Sequence, residues 1–78
     1  MEENWQEIDG KLTRTFEFPD FGAAMVFVNK VADAAEEADH HPDIHISYKK
    51  VTLELTTHSA GEITDKDHEL AKKINELV

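Results

Sequence analysis

The spacing of apolar residues along this chain switches between a period of two and a period near 3.6, and each switch marks a new element. Asn4 to Ile8 and Lys11 to Phe18 read as strands, and the Asp9-Gly10 pair between them suits the positive φ angles of a two-residue hairpin turn. Pro19 closes the second strand, and Asp20 stands where a helix N-cap is needed. Phe21, Ala24, Met25, Val28, Val31, Ala32 and Ala35 then recur at helical spacing, with Asn29, Lys30, Asp33, Glu36 and Glu37 mostly on other faces. This predicts an amphipathic helix of about five turns, which Pro42 must end because the residue before a proline is pushed out of the helical region. His40 therefore falls at or just past the last turn.

From Ile44 the period returns to two. Ile44, Ile46 and Tyr48 face one way, as do Val51, Leu53, Leu55 and Thr57, which predicts a second hairpin turning near Tyr48-Lys49-Lys50. After Ser59-Ala60-Gly61, Thr64 is placed as an N-cap with Asp67 three positions on, and Leu70, Ala71, Ile74 and Leu77 follow at helical spacing. The order strand, strand, helix, strand, strand, helix predicts an α+β fold. It has a single four-stranded antiparallel sheet with both helices packed on one face, and residues 1–78 form one domain.

Length adds a constraint. A chain of 78 residues buries only about 60% of the surface its unfolded form exposes, so oligomerisation is the expected supplement. There is no cysteine, which excludes disulfides, thiolate metal sites and covalent sulfur chemistry. No apolar run reaches the roughly 18 residues of a membrane span, and Met1-Glu2-Glu3-Asn4 lacks the basic-then-apolar pattern of a secretory signal. A cytoplasmic protein is expected. With 17 Asp and Glu against 8 Lys and Arg, the formal charge of −9 repels phosphate backbones, so neither nucleic acid nor membrane is an expected partner.

The candidate chemistry lies in His40-His41-Pro42 and in His58, seventeen residues after His41. An imidazole titrates near neutrality, so it serves as acid or base without extreme tuning. The end of the first helix and the exit from the last strand are both places where side chains can converge on a pocket. Glu36, four residues before His40, would share its helix face and orient its ring, and the helix dipole would favour the charged form. On that reading His40 is a general acid with Asp39 or His58 as its complement. His45 and His68 read as surface residues. Neighbouring His40 and His41 project in different directions and no two-histidine helical motif is present, which argues against a metal site. Ser47 and Ser59 lie in no nucleophile-elbow context.

The spacing Glu36-x3-His40-His41-Pro42-x5-Tyr48-x9-His58-x8-Asp67 resembles the signature of the pterin-4a-carbinolamine dehydratases. Trp5, Phe16, Phe18, Phe21 and the Leu70-Ala71 helix are similar to the rest of that family's domain. The resemblance implies dehydration of 4a-hydroxytetrahydropterin to quinonoid dihydropterin in tetrahydrobiopterin recycling, with neither metal nor cofactor. It implies His40 and His58 as the acid/base pair and His41 as a residue that holds the pterin. Glu36 and Asp39 would support them, Asp39 also meeting the pyrimidine ring, where Thr57 and Ser59 offer backbone groups. Family members are homodimers or homotetramers. Longer relatives carry a helix before the segment resembling Trp5 to Phe21, which this chain begins too late to supply, and an often aromatic position after Pro42 is Ile44 here. Nothing in the sequence carries over the coactivator role of animal relatives. The alternative function is a non-catalytic binding or dimerisation module of the same fold.

Overall fold

The computed structural model describes residues 4–78. Two strands, β1 (Gln6–Ile8) and β2 (Lys11–Glu17), precede helix α1 (Phe21–Ala38); strands β3 (Asp43–Ser47) and β4 (Lys50–Leu55) precede helix α2 (Asp65–Asn75). All pairings are antiparallel, in the order β1-β2-β4-β3. This is the expected α+β architecture.

The register explains why the sheet buries one face. Leu12 pairs with Leu55, Arg14 with Leu53 and Phe16 with Val51, so the apolar residues of the two central strands lie side by side under the helices. Ala24, Phe27, Val31 and Ala34 of α1 and Leu70, Ala71 and Ile74 of α2 close this core. Phe16 and Phe27 stack across the layers with ring centroids 4.7 Å apart.

Both hairpins turn through two residues. Asp9 and Gly10 have φ of 51° and 77°, the pair of left-handed values that suits the twist of the flanking strands. The second turn falls at Tyr48-Lys49, inside the expected Tyr48-Lys49-Lys50, where Tyr48 takes φ 55° and is 67% exposed. The first strand is shorter than its pattern. Asn4 takes φ 68° and Trp5 leaves the ladder to enter the core, where its indole N–H donates to Asn75 Oδ1 at 2.8 Å. Phe18 also stands outside β2, its N–H reaching Lys49 O at 2.9 Å.

Helix α1 begins where expected, the Asp20 carboxylate accepting from Ala23 N–H at 2.8 Å. Its buried stripe differs from the predicted one. Phe27 and Ala34 join Ala24, Val31 and Ala35 in facing the sheet, whereas Phe21 and Ala32 are exposed. The periodic series Phe21, Met25, Val28 and Ala32 lies on the adjacent flank of the cylinder, and a period count alone cannot tell which of two neighbouring stripes meets the sheet. Among the described residues no helix is long and apolar enough to cross a membrane.

Asp20→Ala removes the only side-chain cap of the longer helix and should destabilise the fold by about 1 kcal/mol. In a domain of this size that lowers the melting temperature by roughly 4–8 °C, measurable by circular dichroism.

Candidate active site

The end of α1 is set by backbone geometry. Asp39 adopts the left-handed conformation (φ 52°), which lets its N–H reach Glu36 O at 3.3 Å and lets His40 N–H reach Ala35 O at 3.1 Å. This crossed pair of bonds is the Schellman termination, and it throws residue 40 out of the helical spiral. Glu36 and His40 therefore do not meet as neighbours four apart on a helix. Glu36 instead bonds His41, Oε2 to Nε2 at 2.5 Å, on the exposed surface. This corrects the expected Glu36–His40 partnership.

His40 finds a different carboxylate. Its Nε2 lies 2.5 Å from Oδ1 of Asp67, a residue with no solvent exposure in the first turn of α2. The other oxygen, Oδ2, accepts the Thr57 hydroxyl at 2.7 Å and the Thr64 backbone N–H at 2.9 Å. Because the Thr57 hydroxyl gives its proton to Asp67, the Thr64 hydroxyl must donate to Thr57 across their 2.7 Å contact. Burial pushes the Asp67 pKa up, but the hydrogen bond from His40, those from Thr64 and Thr57, and the attraction of the His40 ring when it is protonated together outweigh it and hold the carboxyl below its ordinary range. An ionised Asp67 only accepts, so Nε2 of His40 carries the proton and Nδ1 is the nitrogen left for a ligand.

His58 arrives from the other side of the layer. Beyond β4, Thr57 pairs with Glu62 as an isolated bridge, and its carbonyl accepts from Ala60 N at 3.0 Å and Gly61 N at 2.9 Å. Gly61 closes this loop at φ 70°, a conformation that favours glycine. The loop presents His58 and Ser59 at its exposed tip.

One cavity of about 270 Å³ gathers these pieces. Asp39, His40, His41, Thr57, His58 and Ser59 all line it, together with Thr56 and Lys66. Six of the seven site residues expected from sequence are thus brought together, and Glu36 stays behind His41. Thr57 lines the cavity with its polar groups already engaged: N–H to Glu62, carbonyl to Ala60 and Gly61, hydroxyl to Asp67. It positions rather than offering a free backbone group. Asp67 was expected as the last position of the resemblance's signature and at a helix start, but with no role in the site, and Lys66 with none at all. The signals for Asp67 were that signature position and its place three residues after an N-cap threonine. Lys66 carried no signal of its own.

Comparison with known proteins gives a consistent result. The sequence family described as Pterin 4 alpha carbinolamine dehydratase matches residues 1–77. A provisionally named pterin-4-alpha-carbinolamine dehydratase of Picosynechococcus is 53% identical over 73 residues, covering 94% of this chain and 79% of the relative. One from Sulfolobus acidocaldarius is 49% identical over 75 residues, covering 96% and 82%. The crystal structure of a transcriptional coactivator/pterin dehydratase from Brucella melitensis superposes with a TM-score of 0.91 at 38% identity, covering 97% of this chain and 83% of that one. A pterin dehydratase-like protein identified as a RuBisCO assembly factor of the alpha-carboxysome shares the fold, with a TM-score of 0.77 at 20% identity over 99% and 89% of the two chains.

Asp67→Asn leaves three donors facing a group with one acceptor oxygen, and should cost about 1–3 kcal/mol in denaturant titrations near neutral pH. A carboxyl whose folded pKa is depressed stabilises the fold above its unfolded value of 3.8, and that contribution is lost as pH falls through the folded pKa. The difference between wild type and Asp67→Asn should therefore be flat above about pH 5 and shrink steadily in acid.

Proposed function

This chain belongs to the pterin 4 alpha carbinolamine dehydratase family, and from that premise we propose that it dehydrates a 4a-hydroxytetrahydropterin to the quinonoid dihydropterin, with His40 and His58 moving the protons. One observation carries the reading: both imidazoles line the same small cavity as Asp39 and His41, and one of them is tethered to a buried carboxylate. At about 270 Å³ the cavity is below the usual size of a drug-sized pocket and suits a bicyclic ring.

In this reaction the C4a–O bond breaks and the hydroxyl takes up a proton to leave as water. N5 gives up its proton, and its electron pair forms the C4a=N5 double bond. One acid and one base suffice, and together they return to their starting protonation state through solvent. Neutral His40 holds its proton on Nε2 against Asp67, so its Nδ1 lone pair is the base for the N5 proton, and the ionised carboxylate stabilises the imidazolium that forms. Protonated His58, exposed at the loop tip, delivers a proton to the departing hydroxyl and recharges from water. These roles reverse the assignment that a Glu36–His40 pair would have given. His41, steadied by Glu36, holds the ring, while Asp39 and the Ser59 backbone meet the pyrimidine edge. Positioned proton transfer contributes about 10²- to 10⁴-fold.

The same reading has residues 1–78 act as one domain in tetrahydrobiopterin recycling, needing neither metal nor cofactor, as a cytoplasmic homodimer or homotetramer. Exposed Phe21, Val26 and Ile46 support the oligomer, since they are apolar surface that a second copy would cover.

In a stopped-flow absorbance assay on carbinolamine generated in situ, His40→Ala and His58→Ala should each slow dehydration by about 10² or more, with the oligomer unchanged by size-exclusion chromatography. Full rates in both variants would sink the pair as catalysts and favour a binding or dimerisation module of the same fold.

A further inference from the structure

We infer that the Thr57 hydroxyl, polarised by Thr64, is a positioning group for the base: it sets how strongly Asp67 draws on His40, and so where the acid side of the rate profile falls. This rests on the dehydratase reading above. Thr57 is 6% exposed, and both roles of its hydroxyl are taken. It accepts from Thr64 Oγ1 at 2.7 Å and donates to Asp67 Oδ2 at 2.7 Å, while the other oxygen of that carboxylate meets His40 Nε2. The four side chains form one chain of hydrogen bonds that runs from a half-buried hydroxyl to the imidazole.

Each donor on a carboxylate drains some of its negative charge, and a donor that itself accepts a hydrogen bond drains more. An Asp67 relieved in this way holds an imidazolium at His40 less tightly than a buried carboxylate with fewer donors would. The imidazolium formed in each turnover is then released to solvent more readily, and the Nδ1 lone pair is recovered for the next N5 proton. Without the Thr57 hydroxyl, Asp67 keeps two donors, the imidazole and the Thr64 N–H, and more of its compensation falls on the imidazole.

The backbone of the same residue serves the acid. Thr57 N–H and carbonyl close the loop that presents His58, so one residue reaches the base through its side chain and the acid through its main chain. A side-chain substitution separates the two tasks. It also leaves in place the other titratable groups around His40. Asp39 and His41 follow α1, His58 sits in the loop beyond β4, and Lys66 lies on α2, all lining the cavity. A groove of about 210 Å³ between α1 and α2, with Leu70 in its lining, shares His40 and Lys66 with the cavity and adds Glu69 and the Glu37–Lys73 ion pair. The Thr57 hydroxyl meets only Thr64 and Asp67 among the described residues.

The test is the pH profile of kcat/KM for carbinolamine dehydration, run beside an NMR titration of the His40 ring in the same variants. Wild type should give a bell, with its acid limb from the base and its alkaline limb from His58. Thr57→Val keeps the backbone bonds and removes the donor. It should raise the acid midpoint by about half a pH unit, roughly threefold in kcat/KM on that side, and leave the alkaline midpoint where it was. Thr57→Ser keeps the hydroxyl and should return the acid midpoint to its wild-type position. An acid midpoint in Thr57→Val that stays, falls, or moves together with the alkaline one overturns the inference, as does a Thr57→Ser profile that matches the valine variant. Should circular dichroism show Thr57→Val unfolded, Thr64→Val decides: it leaves the Thr57 donor unpolarised and should move the acid limb upward by a smaller amount, and a limb that stays refutes the relay. If wild type turns over carbinolamine no faster than buffer does, the dehydratase reading fails. The NMR midpoint of His40 then decides the relay alone, a rise in Thr57→Val supporting it and an unchanged value overturning it.

Discussion

A carboxylate without access to water keeps its charge only if the protein supplies the hydrogen bonds that water would have given, and Asp67 is such a group. Its three donors come from three separate segments: the backbone of Thr64 at the N-cap of α2, the hydroxyl of Thr57 in the chain beyond β4, and the imidazole of His40 just past α1. Each segment is held to the others through one side chain. The helix start, the exit of the last strand and the candidate base are therefore a single electrostatic unit, and among the described residues no buried side-chain polar atom is left without a partner.

The opposite end of α2 is tied in the same manner. Asn75 Oδ1 accepts the Trp5 indole N–H and an Arg14 guanidinium N–H at 2.6 Å, while that guanidinium stacks over the Phe16 ring 4.2 Å away. Acidic Asp65 and Asp67 in its first turn and basic Lys72 and Lys73 in its last also suit its dipole. A short helix fixed at both ends, with Leu70, Ala71 and Ile74 driven into the core between them, is a rigid wall. Both concave sites use it, the cavity through Lys66 and the groove through Leu70 and Lys73. Rigidity here serves orientation: an imidazole that must meet one proton on a small ring gains from being unable to turn away.

Much of this was legible in the chain. The alternation in Leu12 to Phe16 and in Val51 to Leu55, the Asp9-Gly10 turn, the Asp20 cap and the Pro42 stop each act over a few residues, so local chemistry decides them. Six of the expected site residues lie in two short runs whose ends that chemistry already fixes. Where two local rules competed, the reading erred. Trp5 continues the pattern of the first strand, yet burial pulled its indole out of the ladder and into the core. The choice between two apolar stripes of α1 depends on where the sheet lies, which no helical wheel contains.

The sequence alone determined the element order, the core-facing residues of the central strands and the identity of the histidines, because side-chain period, turn residues and proline act on their own neighbours. Only the tertiary structure decided which carboxylate serves which imidazole. Glu36 is four residues from His40 and Asp67 is twenty-seven away. A left-handed residue at Asp39 breaks the near pairing, and the packing of α2 against the sheet delivers the distant one. Contacts across that separation are set by the closing of the core, and nothing local to either residue specifies them.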